Sequence, residues 1–260
     1  LLTYPLEGGK AQVLPWKIGE AGNLVPFGDQ IVVAPPGMIY GLSDRANVFD
    51  MLTRREAERP DDAAPCMALA ELAFHSGQHE RGMASVEEAV RRVGGFARLT
   101  DDATRRRLFD QLMGFAMMLD SPDSRGGKGP AATEAAIGLL TMAGQCAPGP
   151  DDQVRQRFRL AEALAGAGRA AEAVLSYQRV LGDPTLRRLT VRLSVPLTLQ
   201  GLVGESRSAE AAEMSVLAPM DSVVAGAYAA EAIERLIAAH GLSVYAAVEA
   251  HAANRLKIAD

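Results

Sequence analysis

The sequence predicts a mostly α protein: an array of antiparallel helix pairs carrying a short N-terminal β segment. Three observations support this. Of the 260 residues, 48% are hydrophobic but only 5% aromatic. The apolar content is therefore dominated by small and aliphatic side chains, which suit close helix–helix packing. Residues 61–95 and 151–184 share one grammar: an acidic pair, an Ala/Leu-rich stretch, a glycine turn and a second amphipathic stretch. Extended runs bracketed by Gly and Pro gather in residues 1–44, and from residue 45 onward the chain reads as helical.

The β segment comes first. QIVVA (30–34) is rich in β-branched residues, and Pro35-Pro36-Gly37 follows as a turn before MIYGL (38–42). Gly28-Asp29 marks an earlier turn, Asn23 to Pro26 is a short extended piece, and a further strand is expected around Ala11 to Trp16. Two or three such strands cannot bury a sheet face alone. The segment is expected either to pack on the helices or to end a larger β-domain upstream.

The helices follow in order. The first, about 46–58, places Val48, Phe49 and Leu52 on one side and stops before Pro60. Asp61 or Asp62 caps a second helix reaching Ser76, Gly77 turns the chain, and a third runs from His79 to Val93. Asp151-Asp152, Gly168 and the residues around them repeat this 91 positions later. Leu69 then aligns with Leu160, Ala70 with Ala161, Gly82 with Ala173, Val86 with Tyr177, Ala89 with Val180 and Val90 with Leu181. Between the two lie expected helices at 102–119 and 131–145, joined by a polar loop over 121–130. Beyond Pro184 the pattern loosens. A helix broken at Pro196 is expected over 185–202, a helix or linker over 206–218, an amphipathic helix over 221–239 and a last one over 243–257. Ending on that helix suggests a tail covered by another chain or a longer protein. The organisation expected is a β segment at 1–44, repeats at 45–202 and C-terminal helices at 203–260.

The helix-turn-helix pattern resembles the tetratricopeptide repeat (TPR), a unit of about 34 residues. Small residues at Ala70, Ala161, Gly82 and Ala173 stand where helices of such a unit approach closely. An offset of 91 is not a multiple of that length, and a stretched unit at 101–147 accounts for it. The resemblance implies a TPR-like α-solenoid, since such repeats bury their apolar faces only by stacking. Separately, GNLVPFGDQIVVAPPGMIYGL (22–42) resembles the last blade of the PQQ-like β-propellers of bacterial envelope proteins, of the outer-membrane assembly factor type. Gly22, Asn23, Leu24, Gly28, Asp29, Tyr40 and Leu42 carry that likeness. It implies an envelope, periplasmic location, with a cytoplasmic one as the alternative, and it implies no bound quinone.

Composition narrows the functional classes. A net charge of −5 argues against a nucleic-acid grip, which needs a concentrated cationic face. Only Lys10, Lys17, Lys128 and Lys257 among the 27 basic residues are lysines. Cys66 and Cys146 are too few for a disulfide framework or a structural zinc site. No run is long and apolar enough to span a bilayer, so no direct transmembrane insertion is expected.

Catalytic motifs fare poorly. His75 and His79 have the i, i+4 spacing of zinc ligands, but Gly77 between them puts them on different helices. RGGKGP around Lys128 lacks the Ser or Thr and the preceding strand of a phosphate loop. No nucleophile elbow or dinucleotide fingerprint occurs. Asp61-Asp62, Asp101-Asp102 and Asp151-Asp152 all precede helices, as capping residues do. His240 beside Gly241 reads as a helix C-terminal residue, and Cys66 as a small buried hydrophobe.

The expectation is thus a non-enzymatic interaction scaffold without metal or cofactor. By match to the repeat, Met67, Glu71, Phe74 and His75 line a groove in the first unit, and Arg155, Phe158 and Glu162 in the second. Phe74 and Phe158 would be anchors for a peptide or partner helix, although both could equally pack between repeats. Arg105, Arg106, Arg107, Arg187, Arg188 and Arg192 form two clusters open to docking an acidic partner, or to solvation alone. The alternatives are an oligomerisation or structural module of a larger envelope complex, and the accessory region of an enzyme whose catalytic part lies elsewhere.

Overall fold

In the computed structural model the described residues are 2–3, 12–13, 23–27, 30–34, 40–43, 45–120, 129–192 and 222–245. The chain divides into two compact units, 1–51 with 199–219 and 52–198 with 220–260. The division falls inside the first helix.

In the first unit, β1 (Leu2–Thr3) pairs antiparallel with β2 (Gln12–Val13). β3 (Asn23–Phe27), β4 (Gln30–Ala34) and β5 (Tyr40–Ser43) form an antiparallel meander, with Val25 opposite Val32 and Val32 opposite Gly41. The expected strands at 23–34 are therefore present as a three-stranded sheet. Gly22, Gly28 and Asp29 lie outside the described residues.

The protein is otherwise mostly helical. α1 (Arg45–Glu58) leads to α2 (Ala64–His75) and α3 (His79–Arg92). After them come α4 (Asp102–Asp120), α5 (Pro130–Cys146), α6 (Pro150–Gly166) and α7 (Ala170–Leu181), and α8 (Ala225–His240) follows later in the chain. Pro65, Pro130 and Pro150 sit in the first turns of α2, α5 and α6, where a missing N–H costs nothing and the fixed φ suits a helix. Asp101 Oδ2 accepts from the Thr104 amide at 2.7 Å and caps α4, whereas the N-cap position of α2 is Ala63, and Asp62 Oδ1, one residue earlier, accepts from the Ala64 amide at 2.9 Å.

α2 pairs with α3, α4 with α5 and α6 with α7, while α8 lies against α7. Each pair also rests on the next: α2 on α4, α3 on α5, α5 on α6, and α6 on α8. The fold is thus helical and repeat-like. Its interior comprises two apolar clusters. One joins α2 to α5 around Phe74, Leu112 and Leu139; the other joins α6, α7 and α8 around Phe158, Val174 and Ile233. Leu160 and Ala163 of α6 pack against both and so tie them together.

The two aligned turns are superposable in their hydrogen bonds. Gly77 and Gly168 have φ of 72° and 76°, a conformation that costs other L-residues about 1 kcal/mol or more. The Gln78 amide donates to Ala73 O at 2.9 Å, and the Arg169 amide to Leu164 O at 2.8 Å. Gly82 allows a close approach: a Cβ there would lie 2.4 Å from the Phe74 ring.

Arg92 closes the start of the helical unit. Its side chain is only 8% exposed, and its Nη1 donates to the carbonyls of Glu56, Arg59 and Asp62 at 3.1–3.3 Å. Its Nη2 reaches Glu56 at 3.2 Å and its Nε reaches Glu88 at 2.7 Å. One guanidinium therefore gathers carbonyls from the end of α1 and the turn after it, among them that of Glu56, which lies in the last turn of the helix.

The region after Pro184 differs from expectation. Instead of a helix, Leu186–Arg188 form a 3₁₀ turn and β6 (Thr190–Arg192) pairs antiparallel with β7 (Ser222–Val224). Thr190, Val191, Val223 and Val224 are β-branched and favour extended backbone over helix. α8 accordingly begins at Ala225, whose amide donates to Leu189 O at 2.8 Å, rather than at residue 221. Pro196, the stretch 206–218 and residues 246–257 of the expected last helix lie outside the described residues, and Leu242–Tyr245 form a 3₁₀ turn.

Candidate functional site

The first helices of successive pairs, α4 and α6, meet through charge. Asp152, in the opening turn of α6, is only 3% exposed at its side chain. The aligned position in the first repeat is Asp61, yet Asp152 does not cap its helix. It accepts from Arg106 Nη2 of α4 at 2.6 Å and from Arg155 Nη2 one turn on. Those two guanidiniums remain 46% and 45% exposed. Asp110 lies one turn along α4 from Arg106, and burial pushes its carboxyl above the usual range against the pull of Arg106.

From this joint a polar stripe continues along α6 onto α8. Arg159 pairs with Glu162 at 3.1 Å, and Glu162 also accepts from the Tyr228 hydroxyl of α8 at 2.9 Å. Beneath them the Phe158 and Tyr228 rings pack at a tilt with centroids 4.7 Å apart, and Tyr177 lies 5.8 Å from Phe158. The Arg235 guanidinium stands 6.0 Å over Tyr228 and pairs with Glu231. Burial, then the Glu162 charge, pushes the Tyr228 phenol up to about 12 and raises that of Tyr177 as well. Both hydroxyls therefore stay protonated at neutral pH. The stripe offers alternating charge and fixed donors on a rigid aromatic floor, an arrangement for recognition.

The expected groove residues divide into two groups. Arg155 and Glu162 lie on this stripe. Phe74 and Phe158 do not: they are 0% and 1% exposed, and a ring with no open face cannot anchor a ligand. Phe74 fills the space over Gly82 and packs on Phe115 at 5.5 Å, while Phe158 belongs to the α6–α8 core. Both are inter-helix packing. Met67 is likewise core. Glu71 is half-buried and its carboxyl is raised by desolvation; His75 is half-buried at the end of α2.

The expected docking clusters also separate. Arg105 donates to Leu99 O at 2.5 Å and pairs with Asp102, and Arg106 is committed to Asp152. Only Arg107 of that trio is exposed and without an ion pair among the described residues. Arg187, Arg188 and Arg192 are all exposed on the 3₁₀ turn and β6. What the sequence missed is the role of Asp152 and the contribution of Tyr228. An aspartate three residues past the N-cap Gly149 and three before an arginine was the available signal.

Among the described residues no group of three or more His, Cys, Asp or Glu side chains could hold a metal ion. His75 ends α2 and His79 begins α3, on different helices as expected. Cys66 and Cys146 are buried, and burial pushes both thiols up to about 11, away from the thiolate that nucleophilic chemistry requires. Lys128 lies outside the described residues. No described helix is long and apolar enough to cross a membrane.

No family model matches this chain, and neither a curated protein nor a solved structure matches it.

Proposed function

We propose that this chain is a non-enzymatic interaction scaffold whose helix pairs stack as a TPR-like α-solenoid and bind a protein segment along α4, α6 and α8. The observation that carries this reading is the Arg106–Asp152–Arg155 joint. A buried carboxylate holds two half-exposed guanidiniums in fixed positions on the face shared by two successive first helices. Fixed donors that need little further ordering favour binding. Glu162, Tyr228 and Arg235 extend the same polar surface. The repeated turn at Gly77 and Gly168 supports the solenoid, and the likeness of 22–42 to a propeller blade is the ground for placing the scaffold in a bacterial envelope assembly.

Photo-crosslinking residues installed at Arg155, Arg159 or Arg235 test this against positions 80 and 87 on α3. A discrete adduct from the first set alone supports the reading, and Arg155→Glu then weakens binding of that partner roughly tenfold. Adducts from both sets, or from neither, refute it. An adduct between two copies of the chain would favour the oligomerisation reading instead.

A further inference from the structure

Arginines without carboxylate partners gather at one end of the array. From Ser176 to Arg192 the sequence carries Arg179, Arg187, Arg188 and Arg192 against one carboxylate, Asp183. Asp183 is already engaged, accepting from the amides of Thr185 at 2.8 Å and Leu186 at 3.2 Å. A fifth guanidinium comes from α6, which packs on both the 3₁₀ turn and β6. This is Arg157, whose Nε is enclosed and has no hydrogen-bond partner among the described residues. Burial and then the neighbouring Arg179 weaken its hold on its proton, against a smaller opposing pull from Asp183. Elsewhere Arg91, Arg92, Arg105, Arg106, Arg155, Arg169 and Arg235 each have a carboxylate within 4.0 Å. Among the described residues, none of these five does.

An enclosed N–H without a partner is costly to bury, even on a side chain that is itself half-buried. A carboxylate arriving at its rim meets a charge that burial has partly desolvated, so the attraction is less screened than at a fully exposed arginine. We propose that α6, the C-terminal end of α7, the Leu186–Arg188 turn and β6 form a second docking surface, for an acidic segment of a partner protein. Charge complementarity selects that occupant: five unpaired cations concentrate here on a chain of net charge −5. A polyphosphate is the poorer fit, because its dense charge calls for more cations and is repelled by the rest of the molecule. The surface is independent of the α4–α6–α8 stripe, since none of its residues belongs to that stripe.

The test is fluorescence anisotropy of the full chain with a labelled twelve-residue peptide in which two of every three residues are Asp or Glu. Binding is expected to weaken with salt. It should fall about tenfold in the double variant Arg187→Gln/Arg188→Gln, fall at least about threefold in Arg157→Gln, and hold in Arg107→Gln. Arg157→Gln is also expected to leave the melting temperature unchanged or raised, which a structural role would not produce. Four results would overturn the proposal: no binding by the parent chain, equal loss in Arg107→Gln, tighter Arg157-dependent binding of a single-stranded oligonucleotide, or a lowered melting temperature in Arg157→Gln. A gain in peptide affinity on changing Glu205, Glu210 and Glu213 to Gln would assign the surface to the chain's own carboxylates and overturn it too.

Discussion

The pairs α2/α3 and α6/α7 turn the same way and fill themselves differently. Their helix ends share the same hydrogen bonds and the same left-handed glycine, and Ala70 and Ala161 are both wholly buried. In the first pair Gly82 leaves a notch that the Phe74 ring occupies. In the second, Ala173 stands in the place of Gly82 and Ala165 in that of Phe74, and the buried ring of α6 is Phe158, two turns earlier, packed on Tyr177 and Tyr228. The backbone specifies a contact distance and a volume. It does not specify which residue supplies that volume.

That contrast can be broken most forcefully at the rings. Phe74→Ala and Phe158→Ala should each cost about 3–5 kcal/mol in urea unfolding, because both rings are buried and their sites close only partly. A loss of partner binding without a loss of stability at Phe158 would return it to the groove. Gly82→Ala should cost about 1–3 kcal/mol, since the ring must shift, whereas Ala173→Gly should cost about 1 kcal/mol through helix propensity. In a Phe74→Leu background the Gly82→Ala penalty should shrink, giving a double-mutant coupling that the second pair lacks. Equal additivity in both pairs would mean the notch is not the reason for Gly82. Gly77→Ala and Gly168→Ala should be near-equal at about 1 kcal/mol each, because both replace a residue at positive φ.

A further difference is electrostatic. Glu88 of α3 receives hydrogen bonds from Arg91 and Arg92, which hold its carboxyl at about 2 against an ordinary 4.5. A depressed carboxyl stabilises the folded state above its unfolded pKa, and that contribution disappears as pH falls from 4.5 toward 2. Among the described residues α7 has no comparable pair of arginines on one carboxylate. Melting curves between pH 5 and 2 should therefore fall more steeply for the parent chain than for Glu88→Gln. Parallel slopes would show that this network contributes little.

The local grammar of the helices was legible because it is short-ranged. Gly77, Gly168 and the prolines opening α2, α5 and α6 act within a turn of themselves, so spacing alone exposes them. The β meander at 23–43 was visible for the same reason. Contacts made across the chain were not legible. Arg92 meets Glu56 across 36 residues, and Asp152 meets Arg106 across 46, so an acidic residue near a helix start read as a cap when its partner was an arginine on another helix. Phe74 and Phe158 fell on first-helix positions that either face of a stacked unit can use. Only the observed enclosure decides between them. The strand pair β6–β7 joins residues 30 or more apart, and each partner is too short to announce itself.

Arg92 also bears on where the helical unit can be cut. Its guanidinium draws on Glu56, Arg59 and Asp62, so the last turn of α1 belongs chemically to the helices that follow. A fragment meant to express the helical unit alone has to begin upstream of Glu56. Starting at Pro60 would strip two of the three carbonyls and the Glu56 carboxylate from a side chain that is almost wholly enclosed, leaving Glu88 and one carbonyl to hold it.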